Sequence, residues 1–286
     1  MELTNPQVIK EIKKKFGFEF KKAFGQNFLT NPSVLDEICS AAGGAYGALE
    51  IGPGFGVLTK ELSKNFEKVV AIELDSRLTE VLDYTLDGAE NVKIINGDCM
   101  KINLAALISE EFGDRSVSLA ANLPYYITTP IITMLLESKL KLEKIVVMVQ
   151  KEVAQRLTAK PATHDYGAIS VFCDYYADTK IVTTVPAGCF VPAPKVDSAV
   201  VLLTPREEKG LSLKDEKLFF SVVRAAFSQR RKTLLNCLSS AFPMSKPELS
   251  DLLNSVGVEP SRRGETLSKY EFAAIADEIY SRRKGL

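Results

Sequence analysis

The sequence predicts an α/β domain built on a mixed, mostly parallel sheet, followed by a small all-helical domain. Three observations predict it. From residue 46 to about 150, short apolar runs alternate with amphipathic stretches, the pattern of parallel strands joined by crossover helices. A glycine-rich turn, Gly52-Pro53-Gly54-Phe55-Gly56, closes the first of those runs. Beyond Pro205 and the charged stretch Arg206-Glu207-Glu208-Lys209-Gly210, every segment has helical period. The domains are therefore residues 1–206 and residues 207–286.

Strands are expected at Tyr46–Ile51, Lys68–Glu73, Val92–Ile95, Val117–Ala121 and Lys144–Val149, where β-branched and apolar residues run together between Gly, Asn and Asp breakers. Helices are expected between them, near Val57–Asn65, Ser76–Thr85, Leu104–Glu111 and Pro130–Ser138. Ala168–Tyr176, Lys180–Val185 and Ala199–Leu203 are strand-like and suit a hairpin-rich edge of the same sheet, which makes the sheet mixed. The second domain reads as four amphipathic helices, Leu213–Ala226, Gln229–Ala241, Ser245–Val256 and Ser268–Arg283. Ser245 suits an N-cap, Pro247 the first turn and Gly257 a stop.

Composition narrows the function classes. The 286 residues are 46% hydrophobic and 25% charged, the balance of a soluble folded protein. The longest apolar runs, Ile145–Val149 and Ala199–Leu203, fall far short of the roughly 18 residues that span a bilayer. The first twenty residues lack an apolar signal region, so a cytoplasmic location without membrane attachment is expected. Five dispersed cysteines without a CxxC pair read as reduced core thiols. His164 is the only histidine, which removes most zinc-site layouts and any histidine-dependent nucleophile, and no metal is expected. Charge balances at 36 against 36, but residues 206–286 carry net +4 and the remainder net −4. That segregation fits a polyanion-facing module and equally a solvated helical surface.

The chemistry-bearing residues stand at strand ends. Glu50-Ile51-Gly52-Pro53-Gly54-Phe55-Gly56 spaces its glycines G-x-G-x-G, with an acidic residue two places before the first. A dinucleotide fingerprint would put its third glycine at Val57, so the spacing favours S-adenosylmethionine; a merely tight strand-to-helix turn is the alternative. Glu73 ends the second strand, where a carboxylate accepts from both ribose hydroxyls, and Asp98 follows the third, where one accepts from an adenine amine. Each alone also suits an ordinary loop end; all three converge on a sheet's ligand crevice. The fourth strand closes in Asn122-Leu123-Pro124-Tyr125. An adenine amine is a poor nucleophile because its lone pair is delocalised, so the chemistry needs acceptors more than a base. The Asn122 side-chain oxygen and the Leu123 carbonyl supply two, Pro124 stiffens the loop, and Tyr125 offers a ring for a base lifted from its helix. A proline turn with a core tyrosine competes. Phe190, in Phe190-Val191-Pro192-Ala193-Pro194, suits the opposite face of the same base or a buried loop position.

Together these segments resemble the ribosomal RNA adenine dimethyltransferases. The resemblance rests on Phe24-Gly25-Gln26-Asn27-Phe28-Leu29, Glu50-Ile51-Gly52-Pro53-Gly54-x-Gly56-x-Leu58-Thr59, Asn122-Leu123-Pro124-Tyr125 and Phe190-x-Pro192-x-Pro194-x-Val196-x-Ser198. Phe227-Ser228-Gln229-Arg230-Arg231-Lys232-Thr233-Leu234 and Arg263-Gly264-Glu265-Thr266-Leu267-Ser268 match the branch acting on small-subunit RNA. The resemblance covers residues 21 to about 280. It implies a Rossmann-like class I S-adenosylmethionine methyltransferase sheet with a helical RNA- and ribosome-docking domain. It implies cofactor binding by Gln26, Asn27, Leu29, Gly52, Gly54, Glu73, Asp98 and Asn122. It further implies dimethylation of two adjacent adenosines near the 3′ end of small-subunit (16S) ribosomal RNA, in an assembling 30S-type particle, by a monomer with a role in ribosome biogenesis. Asn103, where the pattern often has Asp, and Ala162, where glycine is usual, depart from it.

Stacking alone is too weak to hold RNA, so phosphate contacts are expected from Lys21 and Lys22 and from Arg224, Arg230, Arg231 and Lys232. A resistance-type methyltransferase of large-subunit RNA would share the cofactor and Asn-x-Pro-Tyr motifs, but the Gln229–Lys232 and Arg263–Glu265 segments argue against it. A non-catalytic binder, like the organellar transcription factors related to this family, would need no intact methyl-transfer loop.

Overall fold

The computed structural model describes residues 1–18, 27–208 and 210–285. Two compact units emerge, Met1–Ala154 with Thr179–Pro205, and Gln155–Asp178 with Arg206–Leu286. This differs from the division expected at residue 206, since residues 155–178 group with the C-terminal helices.

The first unit opens with α1 (Pro6–Lys15), started by the Asn5 side chain accepting from the Gln7 N–H at 2.9 Å. Then come β1 (Phe28–Leu29), α2 (Pro32–Ala42), β2 (Gly47–Ile51), α3 (Val57–Asn65), β3 (Lys68–Glu73), α4 (Thr79–Thr85), β4 (Val92–Asn96), α5 (Leu104–Phe112), β5 (Val117–Asn122), α6 (Thr128–Glu137) and β6 (Leu142–Gln150). After α7 (Lys151–Thr158) and α8 (Ala168–Tyr176), the chain returns through β7 (Ala177–Val185), β8 (Phe190–Val191) and β9 (Ser198–Pro205). Seven strands form one sheet in the order β4-β3-β2-β5-β6-β9-β7. β4, β3, β2, β5 and β6 are mutually parallel, and β9 joins β6 antiparallel. Strands covered on both faces are near-continuous apolar runs, and β2 is buried at all five positions, with Glu50 the one polar residue among them. β1 and β8 form a separate antiparallel ribbon that pairs Phe28 with Val191 and Leu29 with Phe190.

The second unit adds α9 (Glu216–Phe227), α10 (Leu234–Ala241), α11 (Lys246–Ser255) and α12 (Lys269–Lys284). Their starts are set by side-chain caps. Asp215 accepts from the Leu218 N–H at 3.0 Å, and Ser245 forms a reciprocal box with Glu248 as Ser268 does with Glu271. Thr233 caps α10 and shortens the helix expected from Gln229.

Ala168–Tyr176, expected as a strand, is helix α8. Its Val, Phe, Tyr and Cys residues have strand propensity, but Phe172, Tyr175 and Tyr176 pack their rings on Phe219 and Phe220 of α9. An apolar run buried all round carries no period that separates strand from helix. The Ser170 hydroxyl accepts from the Gly167 N–H at 3.0 Å and closes the first turn.

In the same unit Ala162 sits at φ 65°. That left-handed conformation costs a non-glycine residue about 1–2 kcal/mol, and glycine gives back roughly 0.4–1 kcal/mol in unfolded-chain entropy. Ala162→Gly is therefore expected to stabilise the protein by about 0.5–1 kcal/mol in urea unfolding. A loss of stability in that variant would show that no strain is stored at this position.

Candidate active site

Strand order reverses between β2 and β5, so the loops leaving the carboxyl ends of β2, β3, β4 and β5 diverge and leave a crevice. A cleft with about 1140 Å³ of empty space, mouth included, occupies it. Of the sequence-predicted residues it gathers Asn27, Leu29, Gly52, Gly54, Glu73, Asp98, Asn122, Leu123, Pro124 and Tyr125.

The loop after β2 bends through Gly52, Gly54 and Gly56, at φ 73°, 60° and 80°. Gly54 has a second constraint, because a Cβ there would lie 2.7 Å from Cε1 of Phe28. The bend turns the Gly54 N–H onto Oε2 of Glu73 at 3.1 Å, while the Asp75 N–H donates to Oε1 at 2.8 Å. Glu73 is 7% exposed, and its burial pushes the carboxyl pKa up against these two donors. A carboxylate held by backbone at a strand end keeps further lone pairs for ligand hydroxyls. Asp98, on the loop after β4, accepts from the Met100 N–H at 3.0 Å and lies 3.6 Å from the Lys101 ammonium. Cys99 also lines the cleft, but burial pushes its thiol up to about 11, which disfavours the thiolate a nucleophile needs.

Asn122 ends β5, and its Nδ2 donates to the Asn27 carbonyl at 2.9 Å. This bond across 95 residues commits the donor end of the amide and leaves Oδ1 as an acceptor. Leu123 is anchored through its N–H to the Met148 carbonyl at 3.2 Å. The Pro124 carbonyl takes the Ile127 N–H at 3.2 Å and the Thr128 hydroxyl at 3.1 Å, so the turn is fixed before any substrate arrives. The Tyr125 hydroxyl meets Ser198 Oγ at 2.8 Å, and burial raises its pKa.

Glu50 enters the sequence analysis only as the acidic residue of the glycine motif and is not among its predicted contact residues. It is 1% exposed, lines the cleft, and its Oε2 has no hydrogen-bond partner among the described residues. Desolvation, outweighing the neighbouring Thr59 and reinforced by Glu73, pushes its carboxyl up to about 8. The signal was its place two residues before the first glycine.

Other expectations fall elsewhere. Phe190 is 3% exposed in β8, within the apolar cluster that holds Phe28 and Phe55, and does not line the cleft. Pairing with Leu29 turns it inward. Gln26, Lys21 and Lys22 lie outside the described residues. In the second unit, Arg224, Arg231 and Lys232 are exposed, Arg224 bonding Ser221 at 3.1 Å. Arg230 is committed internally, to Glu265 at 3.2 Å and to the His164 carbonyl. Gly264 packs so tightly that a Cβ would sit 2.8 Å from the Ala226 carbonyl, and the Glu265 carbonyl accepts from Ala162 at 2.8 Å. The Arg263-Gly264-Glu265 segment is thus a clasp inside the helical unit.

The donor set fits S-adenosylmethionine: a glycine bend that excludes side chains, a backbone-held carboxylate at the end of β3, a second after β4, and a buried carboxyl with one orphaned oxygen whose ionised form a positively charged ligand would favour. Residues 17–279 match the ribosomal RNA adenine dimethylase family. Ribosomal RNA small subunit methyltransferase A of Geobacillus thermodenitrificans is 48% identical over 97% of both chains, and that of Bacillus cytotoxicus 49% over the same shares. Among solved structures, a dimethyladenosine transferase from Plasmodium falciparum superposes with a TM-score of 0.74 at 27% identity, covering 91% of this chain and 98% of its own. The 23S rRNA methyltransferase ErmE does so at 0.68 and 25%, covering 89% and 100%. A sheet of this order with an amide acceptor held at the end of β5, matched along nearly the whole chain, makes this protein a member of the ribosomal RNA adenine dimethylase family, a Rossmann-like class I methyltransferase.

Proposed function

We propose that this chain methylates N6 of two adjacent adenosines near the 3′ end of small-subunit ribosomal RNA, twice each, acting as a cytoplasmic monomer on an assembling small-subunit particle. That it is an S-adenosylmethionine-dependent ribosomal RNA adenine dimethyltransferase follows from its family. The choice of small-subunit RNA is supported by relatives of that name at 48–49% identity over 97% of the chain. No helix among the described residues is long and apolar enough to cross a membrane.

The observation that carries the chemistry is the Asn122 amide, pinned through Nδ2 and, among the described residues, free at Oδ1. When bound, S-adenosylmethionine supplies an electrophilic methyl group. Gly52, Gly54, Glu73, Asp98, Asn27 and Leu29 would hold it, with Gln26 as a further candidate. Asn122 Oδ1 and the Leu123 carbonyl accept the amine's two N–H bonds, which draws the nitrogen out of conjugation and orients its lone pair. After transfer the cationic nitrogen is acidic enough to lose its proton without a side-chain base. A monomethylated amine keeps one N–H, so one acceptor suffices to orient it again. Tyr125, tethered by Ser198, stacks on the extruded base. Arg224, Arg231 and Lys232 are the proposed phosphate contacts of the helical domain, and Lys21 and Lys22 those of the first.

Mapping methylated adenines in ribosomal RNA of cells with and without the protein tests the reading; loss of methylation at sites outside the small subunit would refute it. Replacing Glu73 by Ala is expected to weaken cofactor binding about tenfold or more in calorimetry, the value of a charge-assisted hydrogen bond. Unchanged affinity would remove Glu73 from the site.

A further inference from the structure

Eight large hydrophobic side chains are exposed among the described residues, and four of them, Leu74, Met100, Tyr126 and Val196, share one edge of the sheet. Leu74 follows β3, Met100 follows β4, and Tyr126 follows β5. Val196 precedes β9, whose first residue, Ser198, registers with Gln150 at the carboxyl end of β6. Singly scattered apolar side chains need no explanation, but Leu74 and Tyr126 also line the cleft, and exposed apolar groups at a ligand crevice do need one.

The Asn122 side of that mouth has its own character. Tyr126 lines the cleft and is 58% exposed, whereas its neighbour Tyr125 is tied down by Ser198. The same bond joins the Tyr125 loop to the strand that Val196, 46% exposed, leads into. Lys195 and Lys151 are both exposed, and the Lys151 N–H donates to the Asp197 carbonyl at 2.9 Å, which brings the two lysines' backbones into one corner. The Asp197 carboxylate is engaged with the Ala187 N–H at 3.0 Å. An exposed ring on the loop that Ser198 anchors, with two exposed lysines on the segments that meet at the start of β9, is the chemistry that grips a single nucleic-acid strand: a ring for a base, cations for the backbone.

We propose that Tyr126 stacks on the nucleotide adjoining the one whose base enters the cleft, with Lys195 and Lys151 contacting the flanking phosphates. The inference rests on the RNA-adenine reading above. It assigns substrate grip to the first unit and supplies a ring that Phe190, turned into the core, does not.

The test uses under-methylated small-subunit particles and full-length protein. Tyr126→Ala is expected to raise KM for the particle about tenfold, the loss of one base–aromatic stack, with kcat within about twofold. Cofactor affinity and melting temperature should match wild type, and Tyr126→Phe should restore KM. A Lys151→Ala, Lys195→Ala double variant is expected to flatten the dependence of log KM on log salt by about 1.5, for two lost phosphate contacts. Wild-type KM in Tyr126→Ala overturns the proposal. So does a defect that Phe fails to rescue or that travels with lowered cofactor affinity. Wild-type protein that leaves the particle unmethylated would instead sink the functional reading, which separates the two failures.

Discussion

Asn122→Ala is expected to lower single-turnover methyl transfer by about 10²- to 10³-fold, the usual cost of removing one preorganised hydrogen-bonding group at a reacting centre. The size follows from the wild-type geometry. The amide is held at 2.9 Å by the Asn27 carbonyl, so in the proposed mechanism its acceptor oxygen would meet the amine without reorganisation. Truncation removes acceptor and anchor together. Cofactor affinity should fall far less, because Glu73 and Asp98 hold their places through backbone groups. Single-turnover rates and calorimetry on the same preparation separate the two effects. Transfer within a few-fold of wild type would mean that another group positions the amine.

Glu50→Gln should change stability more than any surface substitution, and in a pH-dependent way. Glu50 is buried, and its pKa rises from 4.5 to about 8 on folding. Below pH 4.5 the carboxyl is protonated in both states and costs nothing. Between pH 4.5 and about 8 the unfolded chain releases this proton while the folded one keeps it, so stability falls by about 1.4 kcal/mol per pH unit from this group alone. Above about 8 both states are ionised and the slope ends. Glutamine removes that slope. In cofactor-free urea unfolding the variant should exceed wild type by on the order of several kcal/mol at pH 8, with the gap closing towards pH 5. Parallel pH profiles would show that Glu50 is not held neutral by its burial. A positively charged ligand in the cleft gives the ionised carboxylate a partner, so S-adenosylmethionine should stabilise wild type more than the variant at pH 8.

Both residues show where reading along the chain succeeds and stops. That Glu73, Asp98 and Asn122 share one cleft was legible because each stands at or just after the end of an apolar run, and a parallel sheet brings all its carboxyl ends to one edge whatever the loops do. The helix starts at Ser245 and Ser268 were legible because a cap is settled within four residues. These are local rules of period, punctuation and backbone hydrogen bonding. What they leave open is partner choice. The Asn122 amide is oriented by a carbonyl 95 residues away, Arg230 is taken by Glu265 and the His164 carbonyl, Phe190 is turned inward by pairing with Leu29, and α8 is a helix because α9 supplies rings to pack on. Local pattern establishes that a group is polar, basic or aromatic and which element carries it. Burial and the identity of its partner are properties of the packed chain, and those decide whether a carboxylate holds a proton, an arginine meets phosphate or protein, and a ring faces solvent or core.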